Sequence, residues 1–596
     1  MLRAALKAVV LAVLLICAAA PQAAQAADAD TLKTEIEAFF HHGLLSTNGQ
    51  LHWDGADKFD VQASGDTATA TLVNARFSFR KDPAEPKPLG TITLDRIEIR
   101  RKPAGDNLVE FTIALPAMST IAGANGVEVT VSLKGGQVTA LVENPGERQR
   151  SATLTLAGGR IEDKNALNWG SFGPVTAGWK IVRNDDGSWR GPLDFELKRF
   201  EFLMAETPLT GTIERIAYGG EAGGRSLAEL DAVRDRVAEI REDGQGDPDK
   251  KVSGWLSLLP KVLTAFNYSK GYLTVEGITT KKKKSDGEAL VTLAKASIEA
   301  ALAGLDRDNA ALRLTIRHDG LAIAPSLVPE VQVPSRIVLD FGLEDIATSA
   351  LRTLAEAGSQ SGPGADAAEK EKAMQRIIGA AMSLSPVFRL YDAAVDFKDV
   401  KVDATGEAKR APPVPIGYAA SGDIVVRGFD ALSEIVTSQF GRAELPLLKF
   451  IGATENAADG APAVKFHLAS AIGHPLTVNG SDLTAWFDHH ASGSPGPGQS
   501  RTLRLADPPM SGDDVRAVQK PLGPQQGERL TDGLYDTATA LAVARFQKQS
   551  GLNVDGVVDT ATRDKLGIKP PPPPPAPPSP APPSPPPPSR PADPKN

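Results

Sequence analysis

With 596 residues the chain is long enough for three or four domains, and 41% hydrophobic against 23% charged residues suits a folded body. A formal net charge of −8 argues against nucleic acid as a partner, because neutralising phosphates takes a basic surface. Cys17 is the single cysteine, so no disulfide framework staples the fold and burial alone must hold it.

Arg3 and Lys7, the apolar run from Ala8 to Ala20 and Ala24-Gln25-Ala26 have the layout of a secretory signal peptide cleaved after Ala26, which predicts a periplasmic protein. The run is too short to span a bilayer and no second long apolar segment follows, so the protein is expected to be exported and not membrane-spanning. Leu14-Leu15-Ile16 lacks the small residue that a lipid-anchoring signal needs ahead of Cys17. Cleavage removes two bases and no acid, which leaves the mature chain more acidic and free of thiols.

Residues 27–220 are predicted to form a β-rich domain with an N-terminal amphipathic helix, in which Leu32, Ile36, Phe39 and Phe40 share one side. Beyond residue 61 the apolar period becomes two. Val73, Ala75, Phe77 and Phe79 alternate, as do Val109, Phe111, Ile113 and Leu115, so an antiparallel sheet with one wet face is expected. Around Asp95-Arg96 and around Arg199-Phe200 the phase slips by one residue, which predicts bulges and a bent sheet.

Residues 221–270 read as a helical segment. Leu227, Leu230, Val233, Val237 and Ile240 form one stripe, and Trp255, Leu258, Leu259, Val262 and Phe266 another. Residues 271–490 form a second β-rich region, with strands at Leu273-Val275, Leu312-Ile316, Ile337-Leu339, Ile424-Val426 and Val464-Leu468 and a helix over 367–384. The order of strand-rich and helical stretches hints at duplication, yet no firm period supports it. Residues 491–502 are a Gly/Ser/Pro linker, and 569–596 a disordered Pro-rich tail without material for a core.

Between linker and tail, residues 503–568 predict a small all-α domain of three helices. Ser511 caps the first, with Val515, Val518 and Leu522 on one face, and Pro521 is expected to end it near Gln519. Asp536 caps the second, which stops at Gly551, and Asp559 caps the third. Asp532-Gly533-Leu534-Tyr535-Asp536-Thr537-Ala538-Thr539 recurs as Asp555-Gly556-Val557-Val558-Asp559-Thr560-Ala561-Thr562, so a tight turn and a capped helix start occur twice, each glycine supplying a positive φ. The fold class is thus multidomain: curved antiparallel sheets with interspersed helices, then the three-helix domain and the tail.

Gly512-x-Asp514-Val515, Leu522, Asp532-Gly533, Thr539-x-x-Ala542-Val543-x-x-Phe546-Gln547, Gly551-Leu552, Asp555-Gly556-Val557-Val558, Thr562 and Leu566 together resemble the bacterial peptidoglycan-binding domain of the three-helix type. The resemblance covers about a ninth of the chain and implies non-covalent attachment to the cell wall. It also implies contact near the second and third helices, at Asp532, Tyr535, Thr539, Gln547 and Asp555. Where the family often has Gly, this chain has Asp536 and Asp559, which are better caps. Residues 27–490 are faintly similar to β-rich periplasmic proteins of the AsmA-like type, whose curved sheets form a groove for lipid.

No catalytic set stands out in the body. A thiol nucleophile is excluded after maturation, and no Gly-x-Ser-x-Gly elbow, Ser-x-x-Lys or phosphate loop appears. His467, His474, Asp488, His489 and His490, and likewise His41, His42, His52 and Asp54, are thin groupings for a metal and read better as solvated histidines. Trp169, Trp179 and Trp189 recur every ten residues. They could stack on sugar rings, though packing between hairpin strands accounts for them better. Lys281–Lys284 could meet anionic headgroups or sit in a solvated turn. The expectation is a non-catalytic envelope protein tethered to peptidoglycan, with no cofactor or metal. The alternatives are a lipid-binding or lipid-transfer body positioned by the wall module, or a wall hydrolase with an unrecognised active site; lipid or another envelope protein is the further partner expected.

Overall fold

The structure, a computed structural model, describes residues 51–482 and 501–568 apart from short internal stretches, the longest being 80–87, together with Asp30, Lys33, Thr34 and Ile36. The expected signal peptide, the 491–500 part of the linker, the Pro-rich tail, Lys283 and Lys284 lie outside the described residues. The chain divides into two compact units, one comprising residues up to Ala431 with Thr454–His474, the other Leu432–Ala453 with the residues from Pro475 on.

The first unit is built on antiparallel strands with helices between them. Its labelled strands are β1 Leu51–Gly55, β2 Lys58–Ser64, β3 Thr67–Phe79, β4 Gly90–Pro103, β5 Leu108–Ala114, β6 Met118–Gly123, β7 Glu128–Leu133, β8 Gly136–Glu143, β9 Arg148–Leu156, β10 Gly159–Asp163, β11 Trp169–Phe172, β12 Val175–Lys180 and β13 Trp189–Met204. Two long strands organise this half. Residues 98–103 of β4 pair with β5, and the ladder runs on through β8, β9 and β12 to residues 193–197 of β13. Residues 90–94 of β4 pair with β6, and a second ladder runs through β7, β10 and β11 to residues 200–203 of β13.

The sheet therefore splits into two layers between β4 and β13 and closes again. Val138, Leu154 and Val175 from one layer meet Val129, Ile161 and Phe172 from the other in a common core. Both splits fall where the apolar phase slips. At the β3–β4 end Asn74, with φ 49°, faces the slip at Asp95; at the other end Arg199, also at φ 49°, interrupts the β13 ladder. The N-terminal helix is described only at its four residues, all helical, with Ile36 buried in a core beside Leu72 and Phe77.

From β13 the sheet continues as a meander through β14 Leu209–Gly224, β15 Tyr268–Lys282, β16 Val291–Ala303, β17 Asn309–Asp319, β18 Arg336–Ala347, β19 Val387–Asp396, β20 Lys401–Arg410, β21 Tyr418–Arg427 and β22 Pro462–Ser470. The helical stretch after residue 226 is two helices, α1 Leu227–Asp243 and α2 Pro248–Ala265. A helix absent from the sequence reading, α3 Thr348–Gln360, precedes α4 Ala367–Ser383. Its buried residues are Thr348, Ala350, Ala355 and Ala357, with Leu351 packed beside them. Leu263 of α2 and Leu351 of α3 pack, with Leu302 and Leu343 of the strands, against a shared core of Leu305, Ala310 and Ile346, so helices cover one end of the strands.

In the second unit lie α5 Leu448–Ile451, α6 Asp513–Gln526, α7 Thr537–Ser550 and α8 Thr560–Leu566. The expected caps are present. Asp536 accepts from the Thr539 amide at 2.9 Å and Asp559 from the Thr562 amide at 2.7 Å, while Gly551 ends α7 at φ 68°. Two expectations for the first helix need correction. Ser511 pairs with Leu534 in a two-residue ladder, and the helix starts at Asp513. It also runs through Pro521 to Gln526: Val515, Val518 and Leu522 are fully buried on one face, and that burial outweighs the hydrogen bond that proline removes.

Candidate functional site

In the three-helix domain two glutamines do the same job twice. The Gln519 Nε2 group, on α6, lies 2.8 Å from Asp532 Oδ1, 3.0 Å from the Leu534 carbonyl and 3.0 Å from Thr539 Oγ1, while its Oε1 accepts from the Gly533 amide at 2.9 Å. On α7, Gln547 Nε2 lies 2.8 Å from Asp555 Oδ1, 2.9 Å from the Val557 carbonyl and 3.2 Å from Thr562 Oγ1, and its Oε1 accepts from the Gly556 amide at 2.8 Å. Each glutamine thus joins a helix to the next Asp-Gly turn and to the capped start of the helix after it. Gly533 and Gly556 take positive φ there, at 74° and 66°.

The five residues singled out from sequence all belong to this framework. Gln547, Thr539, Tyr535 and Asp555 are buried, and Asp532 alone is exposed. Tyr535 reaches from the first turn to the second, donating its hydroxyl to the Gly556 carbonyl at 2.7 Å; burial pushes its pKa well above that of a free phenol. The Leu534 amide and the Gln519 side chain donate to Asp532 and hold its carboxyl below the ordinary carboxylate range. Residues 501–505 complete the domain: Leu503 and Val558 exchange backbone hydrogen bonds, and Arg501 meets Asp514 at 2.9 Å.

Sequence reasoning missed Gln519. A clue was present, since Val518-Gln519 and Phe546-Gln547 both precede an Asp-Gly turn, but thirteen residues separate the first pair's glutamine and aspartate and eight the second. It also missed Leu447, which lies far upstream yet is fully buried in this domain's core.

The first unit presents a different feature. Directly opposed residues across ten strands of the meander form one row: Phe195, Tyr218, Leu273, Ile298, Ile316, Leu339, Ala393, Ala404, Ile424 and Phe466. Neighbouring rows on the same face carry Leu314, Phe341 and Leu390, and Leu312, Leu343 and Phe388. At ordinary strand spacing the apolar face is about 45 Å across. Among the described residues much of it has no cover, with Tyr218, Ile298 and Phe388 each 46% exposed. The opposite face carries charges that alternate across strands, Glu276, Lys295, Asp319, Arg336 and Asp396, joined by ion pairs of 3.5–3.6 Å. Trp255 and Leu259 on α2 and Met374, Ile378 and Met382 on α4 add further exposed apolar side chains.

The remaining candidates are placed as follows. His467 pairs with Asp423 at 2.8 Å; His52 lies in β1; Asp488, His489, His490, His41 and His42 lie outside the described residues. Among the described residues no group of three or more potential metal ligands gathers. Trp189 packs edge-on against Phe266, and Arg234 lies 5.7 Å from the centre of the Trp179 ring. Arg160 covers Trp169 at 4.8 Å, beside a cavity of about 450 Å³ lined by Lys134, Phe172 and Arg199. Among the described residues no helix is long and apolar enough to cross a membrane.

Residues 511–566 match the family of the peptidoglycan binding domain. No curated protein and no solved structure matches the chain.

Replacing Gln547 by Ala strands the buried Asp555 and Gly556 amides, which both donate to its side-chain oxygen, and should destabilise the domain by about 3 kcal/mol, read as a lower midpoint in urea unfolding. Because the folded Asp532 pKa is depressed, its contribution to stability is present above the ordinary aspartate value near ~3.9 and is lost as pH falls through the folded value. Asp532→Asn keeps an acceptor for Leu534 and Gln519, so a pH series of thermal unfolding should show a flatter acid limb for the variant.

Proposed function

We propose that the chain is an exported, non-catalytic envelope protein held on peptidoglycan by residues 503–568, with residues 1–26 as its signal peptide, the periplasm as its location and the Pro-rich tail as a spacer. The family match over 511–566, on a domain whose two turns are locked by buried glutamines, is the observation that carries it. In this reading the wall polymer contacts the surface near α7 and α8. Asp532, Tyr535, Thr539, Gln547 and Asp555 contribute by fixing the backbone of that surface, Asp532 being the one of the five with an exposed side chain.

A second reading concerns the larger unit, and the uncovered apolar rows favour it. A soluble protein seldom leaves so wide an apolar face open unless something occupies it. Acyl chains fit: they need apolar contact, no hydrogen bonds and no fixed shape, and the rows offer that across the meander. The wall domain would then station a lipid carrier rather than a plain scaffold.

The full chain should sediment with insoluble peptidoglycan sacculi and release no soluble fragments from them; a chain that stays in the supernatant at low and moderate salt overturns the tether, and released fragments would establish a hydrolase. Lipid should co-purify with the protein. Ile298→Asp with Phe341→Asp places two carboxylates on the apolar rows, where contact with hydrocarbon costs about 2.5 to 3.5 kcal/mol per acidic group. Extracts of that variant, analysed by mass spectrometry, should contain little or no lipid while its retention on sacculi is unchanged.

A further inference from the structure

The segment carrying α5 lies on the three-helix domain. Leu447 is fully buried there, its two methyl groups sitting 2.9 and 3.0 Å from where a side chain on Gly556 would begin, with the Ala540 carbonyl at 3.1 Å from the same point. The hollow exists because residue 556 is glycine. Three residues on, the Phe450 ring lies under the Arg545 guanidinium at 5.8 Å. Ile451 is held from another side: Asn479, at the tip of a hairpin formed by Thr477–Val478 and Ser481–Asp482, donates to its carbonyl at 2.7 Å.

Leu447, Phe450, Ile451 and Asn479 all lie outside the stretch that matches the family, 511–566. The segment is thus an addition by this chain, and it covers the α7 face beside the second Asp-Gly turn, where the wall polymer is read to bind.

The domain's aromatic residues bear on which part of that polymer fits. Between 503 and 568 the aromatic residues are Tyr535 and Phe546, the first fully buried and the second packed against the core. Sugar rings bind by stacking on open aromatic faces; Tyr535 offers none, and Phe546 is half-buried against the core. The hollow taken by Leu447 suits a small aliphatic side chain instead, and Arg545, now against a ring, suits a carboxylate. A short peptide of small and acidic residues has both features, which is the chemistry of the peptide branches of peptidoglycan.

We propose that the crevice between α7 and the Asp555–Gly556 turn takes the peptide part of peptidoglycan, and that residues 447–451 are a built-in occupant that must leave first. This rests on the wall-binding reading above and adds to it the ligand class and its control. An internal occupant lowers apparent affinity by the fraction of molecules in which the crevice is open.

Full-length protein, Leu447→Ser and Asn479→Ala are compared for retention on insoluble sacculi. Soluble peptide freed from the glycan and an N-acetylglucosamine oligosaccharide are used as competitors, with thermal unfolding as the folding control. Leu447→Ser should be retained about tenfold more tightly, and Asn479→Ala, which frees the Ile451 carbonyl without entering the hollow, about threefold. The peptide should displace all three proteins and the oligosaccharide none. If Leu447→Ser fails to fold, Asn479→Ala decides. Wild-type retention with no gain in a folded variant, or displacement by the oligosaccharide alone, overturns this proposal and leaves the wall reading standing; no retention of any protein overturns both.

Discussion

A buried amide side chain is stabilising only when its donors and its acceptor are all used, and the C-terminal domain depends on meeting that condition twice. Gln519 and Gln547 are each almost completely buried, and each satisfies a glycine amide, a turn carbonyl, an aspartate and a threonine in the first turn of the capped helix. A domain this small has little core to spare, so the turns cannot be held by apolar packing alone. The Tyr535 hydroxyl links the two networks by reaching the Gly556 carbonyl, so that loss of either glutamine would loosen both turns.

The larger unit is governed by a different constraint. Strand pairing is satisfied along the whole meander, but the two faces of its sheet have unlike fates. One face is a lattice of alternating charges that water and ion pairs satisfy, worth little individually to stability. The other is apolar from β13 to β22; it is covered at its margins, by Phe429 against Phe466 and by the helices that share the Leu305, Ala310 and Ile346 core, while Tyr218, Ile298 and Phe388 stay exposed. In the first half of the unit the same kind of sheet solves this problem by splitting into two layers that bury each other. The meander does not split, and among the described residues the middle of its apolar face stays open.

How much of this was legible in the sequence depends on how local each signal is. The caps at Asp536 and Asp559, the stop at Gly551 and the positive-φ glycines were readable because each depends on neighbours a few residues away. The phase slips at Asp95 and Arg199 were readable too, although not that the sheet divides there, since the division depends on which strands pair. Gln519 was overlooked because its partners are thirteen and twenty residues away at a spacing its twin does not share. The apolar rows need the register of ten strands, and register is set by long-range pairing. Pro521 misled because a local rule met a buried face that overruled it. Leu447 carried no local sign of its place in a domain that begins far downstream.

Amide hydrogen exchange of the full chain, with and without insoluble sacculi, tests the central claim most directly. The account predicts slower exchange confined to residues 534–562, together with faster exchange at 447–451 as that segment is released. Unchanged exchange throughout 511–566, with protection appearing in the strands of the larger unit instead, would contradict it.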